Sequence, residues 1–393
     1  MQQAKSQIKT SHWLASHVAQ IGSVDGVYGD QTIPLVTTSE IAPILAGIDL
    51  WDLWPLQSAD GSTVRFDGWA LWFVLSSPTL PDPESRHGVA RIRLMSERMG
   101  QWRDHGNALP LAQNPGSREW AGSSLFDPES GLVTLFYTAA GHVGEAKTTY
   151  AQRLFQTTGR LILANNALYI TDWSTPHESL IADGHDYVVV NQTEGIPGFI
   201  KGFRDPAHVR DAKDGQTYLL FTGSLAQGAS EWNGCIGIGR AVDATLSQWA
   251  LLPPLLGADG LNNEQERPHI IQRDGLYYLF WSTQRKVFAA DAPSGPNGLY
   301  GMVASEIFGP YAPLNDTGLV AANPDTAPYQ TYSWWVTDDL EVAGFVDYPQ
   351  VASGAAVDDI AWRRAHFGGV PAPRFRLKLD GARAWVDSSD VEG

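Results

Sequence analysis

The sequence predicts an all-β chain folded as a five-bladed β-propeller, and three observations carry that expectation: a recurring hairpin module, a turn- and aromatic-rich composition, and a weak helical signal throughout. The module is a charged or aromatic cluster, a short strand, an Asp-Gly-type turn, and a second strand holding an aromatic residue. It reads Arg118-Glu119-Trp120 through Ser130-Gly131 to Phe136, Arg204-Asp205-Pro206 through Asp214-Gly215 to Phe221, and Glu266-Arg267-Pro268 through Asp274-Gly275 to Phe280. Asp-Gly between alternating apolar runs is a strong hairpin signal, so each module reads as two adjacent antiparallel strands. Looser copies run from Trp51-Asp52-Leu53-Trp54 through Asp67-Gly68 to Phe73, and from Tyr332-Ser333-Trp334 through Asp338-Asp339 to Phe345. Five equivalent units close most simply around one axis, and the spacing of their aromatics exceeds the ~40–50 residues of a minimal blade, leaving room for long loops.

The remaining elements follow in chain order. Residues 1–45 form a polar lead-in with Pro34 and Pro43, expected to pack on the propeller, and 46–393 form one propeller catalytic domain. Helix candidates are confined to 4–19 and 38–45. Gly-, Pro- and Asp-rich stretches at 77–88, 290–298 and 315–328 read as connections between modules. The stretch 360–386 reads as strand material that completes the last blade, with no room for an appended sandwich domain.

Composition bounds the function. The 393 residues are 43% hydrophobic and 18% charged, ample for a packed core, and 15 Trp with 39 Gly suit aromatic strands and tight turns. Trp also offers flat apolar faces to sugar rings. A net charge of −16 repels phosphate backbones and anionic membranes, which excludes nucleic acid and membrane partners. The single Cys235 allows no internal disulfide. Lys5, Lys9, Ser11, His12 and His17 interrupt any apolar signal segment, so the expected location is extracellular by a route without a standard signal peptide, with cytoplasmic as the other option. The expected assembly is a monomer or weak homo-oligomer.

Three sites carry candidate chemistry. Asp52 lies within an apolar, Trp-rich run, where a carboxylate needs either partners or a function, and a turn-capping role is an equal local reading. Asp205 precedes Pro206, which locally favours a turn or an ion pair with Arg204. Glu264 and Glu266 alternate, hence share one strand face, and like charges so close push one pKa upward, as a general acid needs. Placement decides among these readings. First strands of propeller blades line the central channel, so Asp52, Asp205 and Glu266 converge at one mouth, a funnel-shaped active site with Trp51, Trp120, Arg204, Arg267 and Tyr332 around it. Two carboxylates suffice for glycoside cleavage.

At these residues the sequence resembles glycoside hydrolase family 68, the bacterial levansucrases, inulosucrases and related β-fructofuranosidases. The matching stretches are Leu50-Trp51-Asp52-Leu53-Trp54-Pro55-Leu56-Gln57, Arg118-Glu119-Trp120-Ala121-Gly122-Ser123, Phe203-Arg204-Asp205-Pro206, Glu264-Gln265-Glu266-Arg267-Pro268 and Thr331-Tyr332-Ser333, in family order. The resemblance implies a retaining, sucrose-cleaving fructosyltransferase of levansucrase type, with hydrolysis plus short-chain transfer as the alternative. It implies Asp52 as nucleophile, Glu266 as acid/base and Asp205 as transition-state stabiliser. Trp51, Trp120 and Arg267 would shape the fructosyl pocket, and Arg204, Glu264, Gln284 and Tyr332 the glucosyl or acceptor side. The implied ligands are sucrose and sugar acceptors, with no cofactor.

Three departures bear on product. Thr222 stands where many relatives place a Glu that holds the acceptor-side Arg, Gln284 replaces an Arg or His, and Ala121 replaces a Ser that hydrogen-bonds the nucleophile. Some relatives bind structural calcium through an Asp at the position of Asn263, so no metal is expected here.

Overall fold

The strands form because their apolar residues alternate or run continuously between Gly- and Asp-containing turns, and a computed structural model shows how they assemble. It describes residues 8–23, 27–164, 167–191, 200–349, 351 and 359–387. Blade I contains strands Ile48–Gln57, Trp69–Pro78, Arg91–Arg98 and Gln101–Asn107, and blade II contains Arg118–Asp127, Leu132–Ala140, Gln152–Ala164 and Ala167–Thr171. Blade III is built from Phe203–Arg210, Thr217–Ser224, Gly234–Ala241 and Trp249–Gly257. Blade IV follows with Glu266–Arg273, Leu276–Thr283, Gly298–Ala304 and two short outer strands, Ala312–Pro313 and Leu319–Ala322. Blade V comprises Thr331–Val336, Glu341–Val346, Phe375–Asp380 and Arg383–Val386. The first strands contact one another in ring order, from blade I round to blade V and back to blade I, and so line the axis.

Each module turn joins strands as expected, and Phe73, Phe136, Phe221, Phe280 and Phe345 all lie buried on second strands. Closure of the ring uses the chain's C-terminal part: Leu50 N donates to Gly369 O at 2.8 Å, and Arg364 pairs with Asp49 at 2.7 Å. The lead-in is also tied down. Ser11–His12 adds a parallel strand to the outer edge of blade III, and Trp13, 1% exposed, packs against Trp281, Phe288 and Tyr300 of blade IV.

Several local expectations are corrected. Within the described part of 4–19, only Ala15–Val18 is helical, and 38–45 holds just a 3₁₀ turn, Thr38–Glu40. The stretches at 77–88 and 290–298 lie inside blades I and IV rather than between blades, and 315–328 contributes the strand Leu319–Ala322. The start of 360–386 is a helix, Ile360–His366, because the Asp359 side chain caps it by accepting from Trp362 N at 2.6 Å. Arg363 and Arg364 anchor it to Asp82 and Asp49 of blade I, each at 2.7 Å.

One irregularity recurs in all five first strands. Pairing with the second strand slips between Trp51 and Leu53, Trp120 and Gly122, Arg204 and Ala207, Glu266 and His269, and Tyr332 and Trp335. Each slip is a β-bulge, which ejects a residue from the ladder and re-aims its side chain. The ejected residues are Asp52, Ala121, Asp205-Pro206, Arg267-Pro268 and Ser333-Trp334. Proline fits there because a bulged position has no ladder N–H to supply. In blade II the bulge requires Gly122: a Cβ at that residue would stand 1.9 Å from Phe136 O.

Candidate active site

The bulges bring the sequence's candidate acids to one mouth of the channel. Asp52 sits beneath a relay. The Ser333 hydroxyl accepts from Arg267 Nη1 at 3.0 Å, and Arg267 also reaches Ser333 O at 2.6 Å and Leu53 O at 2.5 Å. Burial pushes the Asp52 carboxyl above its ordinary range, while the Arg267 charge and the nearby Ser333 hydroxyl act the other way. The geometry holds Ser333, Arg267 and Asp205 at φ of 61°, 52° and 59°. Such values are uncommon for side-chain-bearing residues and mark sites where surrounding structure fixes the backbone.

Asp205 is held from three sides. Its Oδ2 accepts from Thr222 Oγ1 at 3.0 Å and from Arg267 N at 3.2 Å, while its own N–H donates to Thr138 Oγ1 at 2.9 Å. Burial raises its pKa to about 6, against the pull of Arg204.

Arg204 organises the third acid pair. Its Nη2 lies 2.9 Å from Glu266 Oε1 and 3.3 Å from Glu264 Oε2, its Nε 3.7 Å from Asp205 Oδ2, and its Nη1 3.4 Å from Gln152 Oε1. The Tyr332 hydroxyl donates to Glu266 Oε2 at 2.5 Å. With Arg204 and Tyr332 both on Glu266, its pKa is lowered, whereas burial beside Glu266 lifts Glu264 to about 7. The two shifts run in opposite directions, so a proton on the pair is favoured on Glu264 over Glu266.

Aromatic walls complete the mouth. Trp51 is 1% exposed with its indole N–H unpaired, and the Arg86 guanidinium lies 5.7 Å over its ring. Trp120 Nε1 donates to His87 O at 2.9 Å. Among the described residues neither Arg267 Nε nor the Trp51 N–H has a hydrogen-bond partner, so both are donors a polyol could satisfy.

All ten candidate residues thus fall on the first strands or the segments flanking the mouth. Sequence reasoning missed Ser333 as the anchor of Arg267 and Thr138 and Gln152 as supports of Asp205 and Arg204. It also assigned Thr222 differently: where a Glu would hold Arg204, Thr222 instead braces Asp205. The hydroxyl that lowers the Asp52 pKa belongs to Ser333, on blade V, and not to the position of Ala121.

The oxygens around Asn263 decide whether calcium could sit there. Calcium takes six to eight oxygen ligands at about 2.3–2.6 Å. Here the Lys201 ammonium lies 3.3 Å from Asn263 Oδ1, and the nearby Asp259 carboxylate is engaged by Ala229 N and Ser230 N. These residues do not fit a divalent ion. Among the described residues, Asp183, His185 and Asp186 bring ligand atoms within 4.8 Å of one another, but Asp183 Oδ1 already accepts three backbone N–H groups.

Comparison with known proteins agrees with this geometry. The Levansucrase/Invertase family model matches residues 2–231 and 225–393. The levansucrase of Erwinia amylovora is 32% identical over 384 residues, covering 87% of this chain and 86% of that protein. The levansucrase of Zymomonas mobilis is 32% identical over 371 residues, 88% of this chain and 83% of that one. The structure of the inulosucrase from Halalkalicoccus jeotgali bound to kestose superposes with a TM-score of 0.88 at 36% identity, covering 96% of this chain and 95% of that one. The chain belongs to glycoside hydrolase family 68, the levansucrase/invertase family.

Proposed function

We propose that this protein cleaves sucrose and transfers the fructosyl unit, through a covalent intermediate on Asp52, to a sugar hydroxyl or to water. The observation that supports it is one Arg204 side chain joining Glu264, Glu266 and Asp205 beside a bulge that presents Asp52.

In this reading, Asp52 attacks C2 of the fructosyl unit as the C2–O bond to glucose breaks, and Glu266 gives its proton to the departing oxygen. An acceptor hydroxyl then attacks C2, its proton passes to Glu266, and the bond to Asp52 breaks. The two displacements retain configuration. Asp205 faces the ring while positive charge develops there, and an anion so placed acts in a low-dielectric pocket without reorganising. Glu266 must carry the proton when glucose leaves, yet Arg204 and Tyr332 favour its anion in the sugar-free funnel. Glucosyl hydroxyls that engage Arg204 and Tyr332 would weaken that hold and favour the protonated Glu266 that the first step needs.

Gln284, neutral, leaves the acceptor side with less positive charge than an Arg would give, so the expected products are short oligosaccharides together with hydrolysis. Incubation with concentrated sucrose tests the whole reading. The expected record is free glucose in excess over free fructose, with the missing fructose in short chains, and loss of glucose release in Asp52→Asn and Glu266→Gln. Undiminished glucose release by either variant would overturn it.

A further inference from the structure

The segment 201–204 enters blade III just before Arg204 and Asp205, and it carries a lysine whose environment is unlike a surface lysine's. The Lys201 side chain is 13% exposed. Its ammonium donates to the main-chain oxygen of Glu231, to Asn233 Oδ1 at 2.7 Å and to Asn263 Oδ1 at 3.3 Å. Three donors meet three oxygens. The Glu231 carboxylate stands 3.7 Å away, and the charges of Asp259 and Glu264 also favour the ammonium, opposing the burial that lowers its pKa.

Those oxygens belong to separate parts of the chain. Glu231 and Asn233 lie on the connection between the second and third strands of blade III, which is folded back by Asn233 Nδ2 to Leu225 O at 2.8 Å and by the Asp259 carboxylate. Asn263 precedes Glu264, and Asn262 Oδ1 fixes the same turn by accepting from Glu264 N at 2.9 Å and Gln265 Nε2 at 2.8 Å. One ammonium therefore joins the approach to Arg204 and Asp205, the blade III connection, and the approach to Glu264 and Glu266.

We propose that Lys201 does the cross-linking that a bound divalent cation would do at this junction, so that the fold and activity of this protein need no calcium. The chemistry favours the exchange. Neutral amide and carbonyl oxygens at hydrogen-bond distance suit a single positive charge with directed N–H donors, whereas a divalent ion needs more oxygens, closer in, with more negative charge. An ammonium is also part of the chain and cannot be extracted.

The test is thermal unfolding and sucrose cleavage of the full chain, after exhaustive dialysis against EDTA and again with millimolar calcium chloride. The wild type is expected to show the same Tm within about 1 °C and the same kcat/KM in both. Lys201→Met, which keeps length but leaves Asn233 and Asn263 facing no cation, is expected to lose about 3 °C or more in Tm. Lys201→Arg, which keeps a cation, is expected to retain most of the wild-type Tm. A wild type that loses Tm in EDTA and regains it with calcium overturns the proposal. So does a Lys201→Met variant with wild-type Tm, or a Lys201→Arg variant that falls as far as Lys201→Met. If Lys201→Met does not fold, the EDTA comparison and Lys201→Arg still decide.

Discussion

Thr222 shows how a single uncharged side chain sets the chemistry of a charged one. Its hydroxyl lies 3.0 Å from Asp205 Oδ2 and 2.9 Å from Gln265 O. Donation to Asp205 favours the carboxylate, whose pKa burial has already raised to about 6. Thr222→Val removes that donor, so the Asp205 pKa rises further. The acidic limb of the kcat/KM profile should then move to higher pH, with activity at the optimum falling about tenfold; an unmoved limb would show that Asp205 does not govern it. The candidate acids were legible in the sequence through their place at the start of the recurring module and through the family motifs, since the local sequence left Asp52 open and favoured a turn or ion pair for Asp205. Thr222, Thr138, Gln152 and Ser333 were not. A hydroxyl or amide is common anywhere, and only the partner it meets across the channel gives it a role.

At the scale of elements, the bulged first strand is the unit that converts sequence into site. Its existence is hidden from pattern reading, since one extra residue per strand barely disturbs the alternation of apolar residues; only the pairing register exposes it. Gly122→Ala would force a methyl group against Phe136 O, so it should distort the Trp120 wall and yield unstable protein, read as loss of soluble expression or a large fall in Tm. Glu119, on the same strand, joins blades II and I by accepting from Ile92 N at 2.7 Å, while its other oxygen stands 4.0 Å from Arg91 Nη1 without a hydrogen bond among the described residues. Burial raises its pKa from 4.5 to about 7. The folded chain thus binds a proton that the unfolded chain has released between those values, so Glu119 favours the fold in acid and that contribution is lost as pH rises through about 7. Glu119→Gln should therefore be more stable than wild type at pH 8, by up to about 3 kcal/mol, with a shallower dependence of Tm on pH. Equal pH slopes in the two proteins would contradict this. The helix Ile360–His366 escaped the sequence reading for a related reason: two turns are too short to display a period, and Asp359 alone marks the start.

At the scale of the whole molecule, the ring explains why acids separated along the chain can act as one group, and the number of blades was legible from five module copies. How the ring is fastened was less so. The lead-in contributes Trp13 to blade IV at ring-centroid distances of 5.3 Å from Trp281 and 5.0 Å from Tyr300, a contact that no local pattern announces. Trp13→Ala removes a buried indole remote from the acids, so it should cost about 3–5 kcal/mol of stability and leave kcat/KM near 25 °C within about threefold, as checked by denaturant unfolding and initial rates. The claim on which everything else rests is that the five bulged strands present Asp52 as the nucleophile of a double displacement. It is tested most directly by quenching wild-type enzyme in acid during turnover of saturating sucrose, digesting it, and mapping the adduct by mass spectrometry. One fructosyl unit esterified to Asp52 is expected, on the peptide containing Ile48–Gln57. A fructosyl ester on Asp205, Glu264 or Glu266, or steady glucose release from Asp52→Asn, would contradict it.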